Sequence, residues 1–164
     1  MQLEQGCSDK FIMNALKDEW IFYLKLQPEL SENFLQLDKN FKQFGYNLIP
    51  VSFPNLLRLI QTKETFHVIT IVSNQREANY YVKHVSKPIK NLLRFRKINL
   101  FTASSYGFIN ESSKLTFRDN YEFHQLPIPT SVLCDKVITT VLDQAVESSK
   151  WPGGRRPKMT IGGY

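Results

Sequence analysis

A chain of 164 residues with 42% hydrophobic content is long enough to bury one sizeable core. Twelve Phe, seven Tyr and two Trp exclude a chain disordered throughout, and two cysteines, Cys7 and Cys134, exclude a disulfide framework. The net charge of +6 admits an acidic partner, and no apolar run reaches the roughly 20 residues that span a bilayer.

Residues 1–18 read as a polar leader with an amphipathic turn over Phe11 to Leu16. Glu4, Asp9 and the lack of an apolar stretch argue against a signal peptide, so a reduced, cytoplasmic location is expected. Trp20 to Leu26 predicts a first strand, ended by Pro28. Ser31 is an N-cap for a helix that carries Phe34, Leu35, Leu37, Phe41 and Phe44 inward and stops at Gly45. Tyr46 to Phe53 predicts a second strand, which Pro50 places at a sheet edge, and Pro54 opens a short helix through Leu56, Leu57 and Ile60.

Phe66 to Ser73 is the segment around which the others are arranged. Its β-branched apolar run stops at Ser73-Asn74, the mark of a strand buried on both faces of a parallel sheet. A helix follows from about Gln75 to Phe95, with Val82, Val85, Ile89 and Leu92 on one face and Pro88 kinking or splitting it. Ile98 to Ala103 is a fourth strand and 104–120 is loop with room for one short helix. Tyr121 to Ile128 is a fifth strand, stopped by Pro127 and Pro129. The last helix, Ser131 to about Ser149, buries Val132, Val137, Ile138, Val141, Leu142 and Ala145. Residues 150–164 form a basic tail containing Gly and Pro, leaving 19–149 as the folded domain.

Five strands alternating with helices predict right-handed crossovers and a parallel sheet covered on both faces. The expected fold is an α/β three-layer sandwich of flavodoxin/CheY-like type, with a five-stranded sheet of order 2-1-3-4-5.

In this layout the chain resembles the CheY-like receiver domain of response regulators, from about Asp18 to Ser149. The resemblance rests on element order, on Thr102-Ala103 ending the fourth strand and on a proline after the fifth. It implies a phospho-acceptor slot at Asn74, an acidic pair near Glu29, a hydroxyl at Thr102 and a lysine where Ile128 stands. Receiver chemistry needs a carboxylate nucleophile, a Mg²⁺ held by oxygens and a lysine on the phosphoryl group. An Asn amide, one Glu and an Ile do not supply these, so a phosphorylation-incompetent pseudo-receiver is expected. The resemblance further implies a protein-contact face that includes Tyr106, Phe108, Tyr121 and Phe123, open to a partner protein or to a second copy. Burial in the core would explain the same aromatics.

Other constellations are sparse. His67, His84 and His124 have no paired nucleophile nearby in sequence, no Cys/His group has metal-ligand spacing, and neither GxGxxG nor GxxxxGKS/T occurs. No metal or cofactor is therefore expected. Lys83, Lys87, Lys90 and Arg94 repeat at helical spacing, Arg96 and Lys97 extend the stripe, and no acid falls between Glu77 and Glu111. The tail adds Lys150, Arg155, Arg156 and Lys158, four of the net +6. Stripe and tail together make nucleic-acid binding the alternative to a protein-binding regulatory module, although a solvated helix face would look the same. An active site at the strand ends is the third reading, with Lys25, Glu29 and His67 as its few ionisable groups.

Overall fold

The computed structural model describes residues 20–61, 65–95, 97–105, 108 and 119–149. The leader 1–18, the tail 150–164, Tyr106, Arg96 and most of the 104–120 loop lie outside these residues.

The chain runs β1 (Trp20–Leu24), α1 (Glu32–Lys42), β2 (Ile49–Val51), α2 (Phe53–Leu59) and β3 (Phe66–Val72). It continues with α3 (Gln75–Tyr80), a π-helical turn (Tyr81–Val85), α4 (Ser86–Arg94), β4 (Ile98–Ser104), β5 (Tyr121–Gln125) and α5 (Thr130–Ser149). All pairings are parallel and the strand order is β2-β1-β3-β4-β5, the expected flavodoxin-like arrangement.

Every residue of β3 and of β4 is buried, so neither strand has a solvent face. Successive side chains alternate between two apolar layers. Phe22, Leu24, Val68, Val72 and Leu100 pack with α2, α3 and α4, whereas Ile21, Tyr23, Ile69, Ile71 and Phe101 pack with α1 and α5. This sorting follows from right-handed crossovers. The step from β1 to β2 runs one way along the sheet and the later steps run the other way, so α1 falls on the face opposite α2 to α4.

Local chemistry sets the element ends. Ser31 caps α1, its Oγ accepting from Phe34 N at 3.2 Å, and Gly45 ends the turn after it with φ 85°, a conformation costly for a residue with a Cβ. Ser52 caps α2 with Pro54 in its first turn. Pro50 lies in β2, which pairs only with β1, so its missing N–H faces the open edge.

The strands are shorter than expected at β1, β2 and β5, and β4 runs one residue further, to Ser104. Four apolar residues expected inward are exposed: Leu35 (51%), Phe44 (43%), Val82 (43%) and Val132 (40%). Leu35 and Val132 each stand beside a core position but off the buried stripe of their helix. Phe34, Leu37 and Phe41 fill the seam under α1, and Leu133, Val137 and Val141 fill the seam under α5. Phe44 falls beyond the C-cap Gln43, where helical phase no longer applies.

Val82 has a different cause. The helix after β3 widens at 81–85, where Ser86 N–H reaches back to Tyr81 O and Ser86 Oγ donates to Val82 O at 3.1 Å. The wide turn directly precedes Pro88, which has no N–H to offer the His84 carbonyl. It shifts the inward stripe to Tyr81, Val85, Ile89 and Leu93, a spacing of four that an unbroken α-helix would carry off the core. The split expected from Pro88 therefore lies upstream of the proline itself.

Leu37 and Leu35 share one helix but differ in exposure, at 0% and 51%. Leu37→Ala should lower unfolding free energy by about 2–5 kcal/mol and Leu35→Ala by no more than about 0.5 kcal/mol, read from urea denaturation midpoints. Equal losses would contradict this assignment of the α1 faces.

Candidate functional site

In an open parallel sheet the loops at the carboxyl ends of the strands are where side chains can converge on a ligand. Two arrangements occupy that edge here.

The first is a network of amides and hydroxyls around the end of β3. Asn33 Nδ2 donates to Ser73 Oγ at 2.7 Å, Ser73 N–H to Glu77 Oε1 at 2.8 Å, and Glu77 N–H to Asn74 Oδ1 at 2.9 Å. Asn74 is thus the N-cap of α3, and the buried Glu77 carboxylate folds back over the same turn. Tyr23 OH lies 3.4 Å from Ser31 Oγ on the α1 side. Burial pushes the Tyr23 phenol up to about 12, the Ser31 contact works against this, and the nearby Glu77 charge adds to it.

The second is a cavity of about 520 Å³ lined by Lys25, Leu26, Gln27, Pro28, Ser52, Arg76 and Tyr80. Lys25 to Pro28 leave the end of β1, Ser52 follows β2, and Arg76 and Tyr80 stand one turn apart on α3. The Tyr80 ring is backed by the His84 ring, with centroids 4.9 Å apart.

The residues singled out by the receiver resemblance do not converge. Glu29 is exposed in the loop after β1, and Asn74 is committed to capping. Thr102 is fully buried in mid-strand, paired with Thr70 on β3, with Ala103 and Ser104 still between it and the end of β4. Ile128 is half-buried against the layer under α1 and α5. Tyr121 is buried in the other layer, and Phe108 and Phe123 are half-buried against it. Burial raises the pKa of the Tyr121 phenol and the neighbouring Thr102 hydroxyl opposes this, although the two do not reach normal hydrogen-bond geometry.

The histidines lie on three separate elements: His67 on β3, His84 in the π-helical turn and His124 on β5. His67 is the second residue of β3, at the opposite end of the sheet from Lys25, and its Nδ1 lies 3.3 Å from Asn99 Nδ2. Asn99 also donates to Gln144 Oε1 at 3.3 Å, tying β4 to α5. His124 Nε2 is 3.2 Å from Glu122 Oε1 on edge strand β5.

Of the basic stripe, Lys83, Lys87 and Arg94 are exposed and Lys90 and Lys97 are half-buried. The Arg94 guanidinium lies 5.6 Å from the Phe95 ring centroid, and Phe95 is 67% exposed. Arg96, Arg155, Arg156 and Lys158 lie outside the described residues. Among the described residues no group of His, Cys, Asp and Glu could hold a metal ion, and no helix is long and apolar enough to cross a membrane.

Comparison with protein-family models and with curated proteins gives no match. The chemistry of the site therefore rests on its own residues. Of the cavity lining, sequence reasoning found only Lys25. A signal for the rest existed: Arg76 and Tyr80 are four apart at the start of the helix that follows the central strand, which places both on one face beside the strand ends.

Two outcomes follow from these assignments. Asn74→Ala should cost about 1 kcal/mol in urea unfolding through loss of the cap, and Asn74→Asp should keep most of it. Cys134 is fully buried, and burial pushes its thiol up to about 12 with Asp135 adding to the shift, so in a Cys7→Ser variant it should resist a disulfide reagent until the chain unfolds.

Proposed function

We propose that the chain is a cytoplasmic, non-catalytic regulatory module: a pseudo-receiver that acts by binding a protein partner or a second copy of itself. The observation that carries this reading is the use of Asn74. It stands at the end of the central strand, where the resemblance puts the phospho-acceptor, and its amide oxygen is taken up in capping α3. An amide is not a carboxylate nucleophile. The nearest buried carboxylate, Glu77, is held by the Ser73 N–H, and Ile128 offers no charge to a phosphoryl group.

Incubation of the full chain with acetyl phosphate and Mg²⁺ tests the reading. The expected mass is unchanged, for the wild type and for Asn74→Asp, which restores the acceptor without the missing cation. A hydroxylamine-labile phosphoryl adduct on the wild type would overturn it.

A second reading is favoured by one feature of the surface. Lys83, Lys87 and Arg94 are exposed along one helical stretch, and the exposed Phe95 ring beside Arg94 offers a stacking surface for a base. Binding of a labelled DNA duplex by the full chain and by a version ending at Ser149, across a salt series, separates the two readings. The regulatory reading expects weak binding that does not depend on the tail. Tight binding that falls steeply with salt and vanishes with the tail would put nucleic acid first.

A further inference from the structure

We propose that the cavity at the ends of β1 and β2 is a binding site for a small phosphoryl-bearing organic molecule. The site is separate from the receiver positions, since none of Asn74, Thr102 and Ile128 lines it. It lies beside the point where the strand order reverses, between β1 and β3, which is where open α/β sheets leave a crevice.

Its volume of about 520 Å³ falls within the roughly 300–1,000 Å³ of small-molecule sites. Among the described residues its charge is one-sided: Lys25 and Arg76 line it and no carboxylate does. Among the described residues Lys25 Nζ donates only to Pro28 O, at a long 3.4 Å, and Arg76 has no ion-pair partner. An ammonium has three donors and a guanidinium five, so both cations keep donors for an incoming anion. Ser52 and Gln27 add neutral polar groups, while Leu26, Pro28 and the Tyr80 ring form an apolar wall.

This set selects for a phosphoryl group over a carboxylate. A carboxylate has one charge and two oxygens, which a single bidentate arginine satisfies. A phosphate monoester has up to two charges and three free oxygens, enough to engage cations from two separate elements, the β1–α1 loop and α3. The wall of Leu26, Pro28 and Tyr80 then accommodates an organic body, and packing against the core and His84 holds the Tyr80 ring in place. A nucleic-acid strand is the poorer match, because the cations sit in a recess of small-molecule size and not along a track.

Phenyl phosphate supplies both features and serves as the probe. Titrated into the ¹⁵N-labelled full chain, it should give saturable amide shifts at Lys25 to Gln27, Ser52, Arg76 and Tyr80. Arg76→Gln and Lys25→Gln should each weaken it by roughly tenfold, the loss expected for one charge-assisted contact. Lys83→Gln, on the outer surface, should leave it unchanged. Affinity should fall as pH drops through about 6, where a phosphate monoester loses its second charge. Phenol should not saturate the site, and inorganic phosphate should bind more weakly than phenyl phosphate. Shifts confined to 83–94, undiminished binding by both Gln variants, or no saturation by phenyl phosphate would each sink the proposal. Arg76 is exposed and Lys25 half-exposed, so both variants should keep the wild-type urea midpoint, which separates lost binding from lost folding.

Discussion

The dry centre of the sheet is the constraint from which the rest of the structure follows. With all of β3 and β4 buried, each face must be covered by helices, because a parallel sheet with an exposed face would leave apolar rows in water. Covering both faces with right-handed crossovers forces the chain to build outward from the middle in two directions. That reversal lies between β1 and β3, and there the loops leave toward opposite faces and the edge of the sheet opens. The cavity is therefore a by-product of burying the central strands. Lys25, Gln27 and Arg76 of its lining stand outside the core, whereas Ser52 also caps α2 and Leu26 is buried.

The same dryness governs the polar groups within the sheet. Thr70 Oγ1 donates to Leu24 O at 3.2 Å, so one buried hydroxyl is paired across β1 and β3. Thr102, its neighbour on β4, faces the layer that holds Tyr121 and is out of reach of the strand end. A hydroxyl meant to meet a phosphoryl group must stand where the strand gives way to its loop. At that level β4 presents Ser104, whose Oγ donates to Ser105 O, and β3 presents Ser73 and Asn74, held by Asn33 and by the first turn of α3. The polar side chains at the edge near β3 thus serve to fasten loops and helix starts.

Much of the fold was legible because it rests on local signals that agree with one another. The run from Phe66 to Val72 fixes a central strand, Ser31 and Gly45 bracket α1, and Pro50 bars β2 from the interior. Errors arose where a local pattern was cut by something non-local. Val82 fits an unbroken helical stripe and lost its place when the π turn changed the phase. Leu35 and Phe44 look like core in a helix read for hydrophobicity, but α1 meets the sheet through the narrower stripe of Phe34, Leu37 and Phe41. The depth of Thr102 depended on β4 running to Ser104, a boundary that composition does not mark. The cavity was the least legible feature, since its lining comes from three separate connections that only the sheet order brings together.

The two sets of basic residues differ in surroundings more than in number. Lys83, Lys87 and Arg94 stand on an outward helix surface, where each charge is hydrated and salt screens it within about 10 Å. Lys25 and Arg76 flank one recess with an apolar wall, where a field of one sign is focused. The energy of a given charge pair rises as the effective dielectric falls, so an anion gains more from two cations in the recess than from two on the helix. Burial also limits how far the recess can go in this direction. Both side chains retain solvent contact, so neither cation bears the full cost of leaving water.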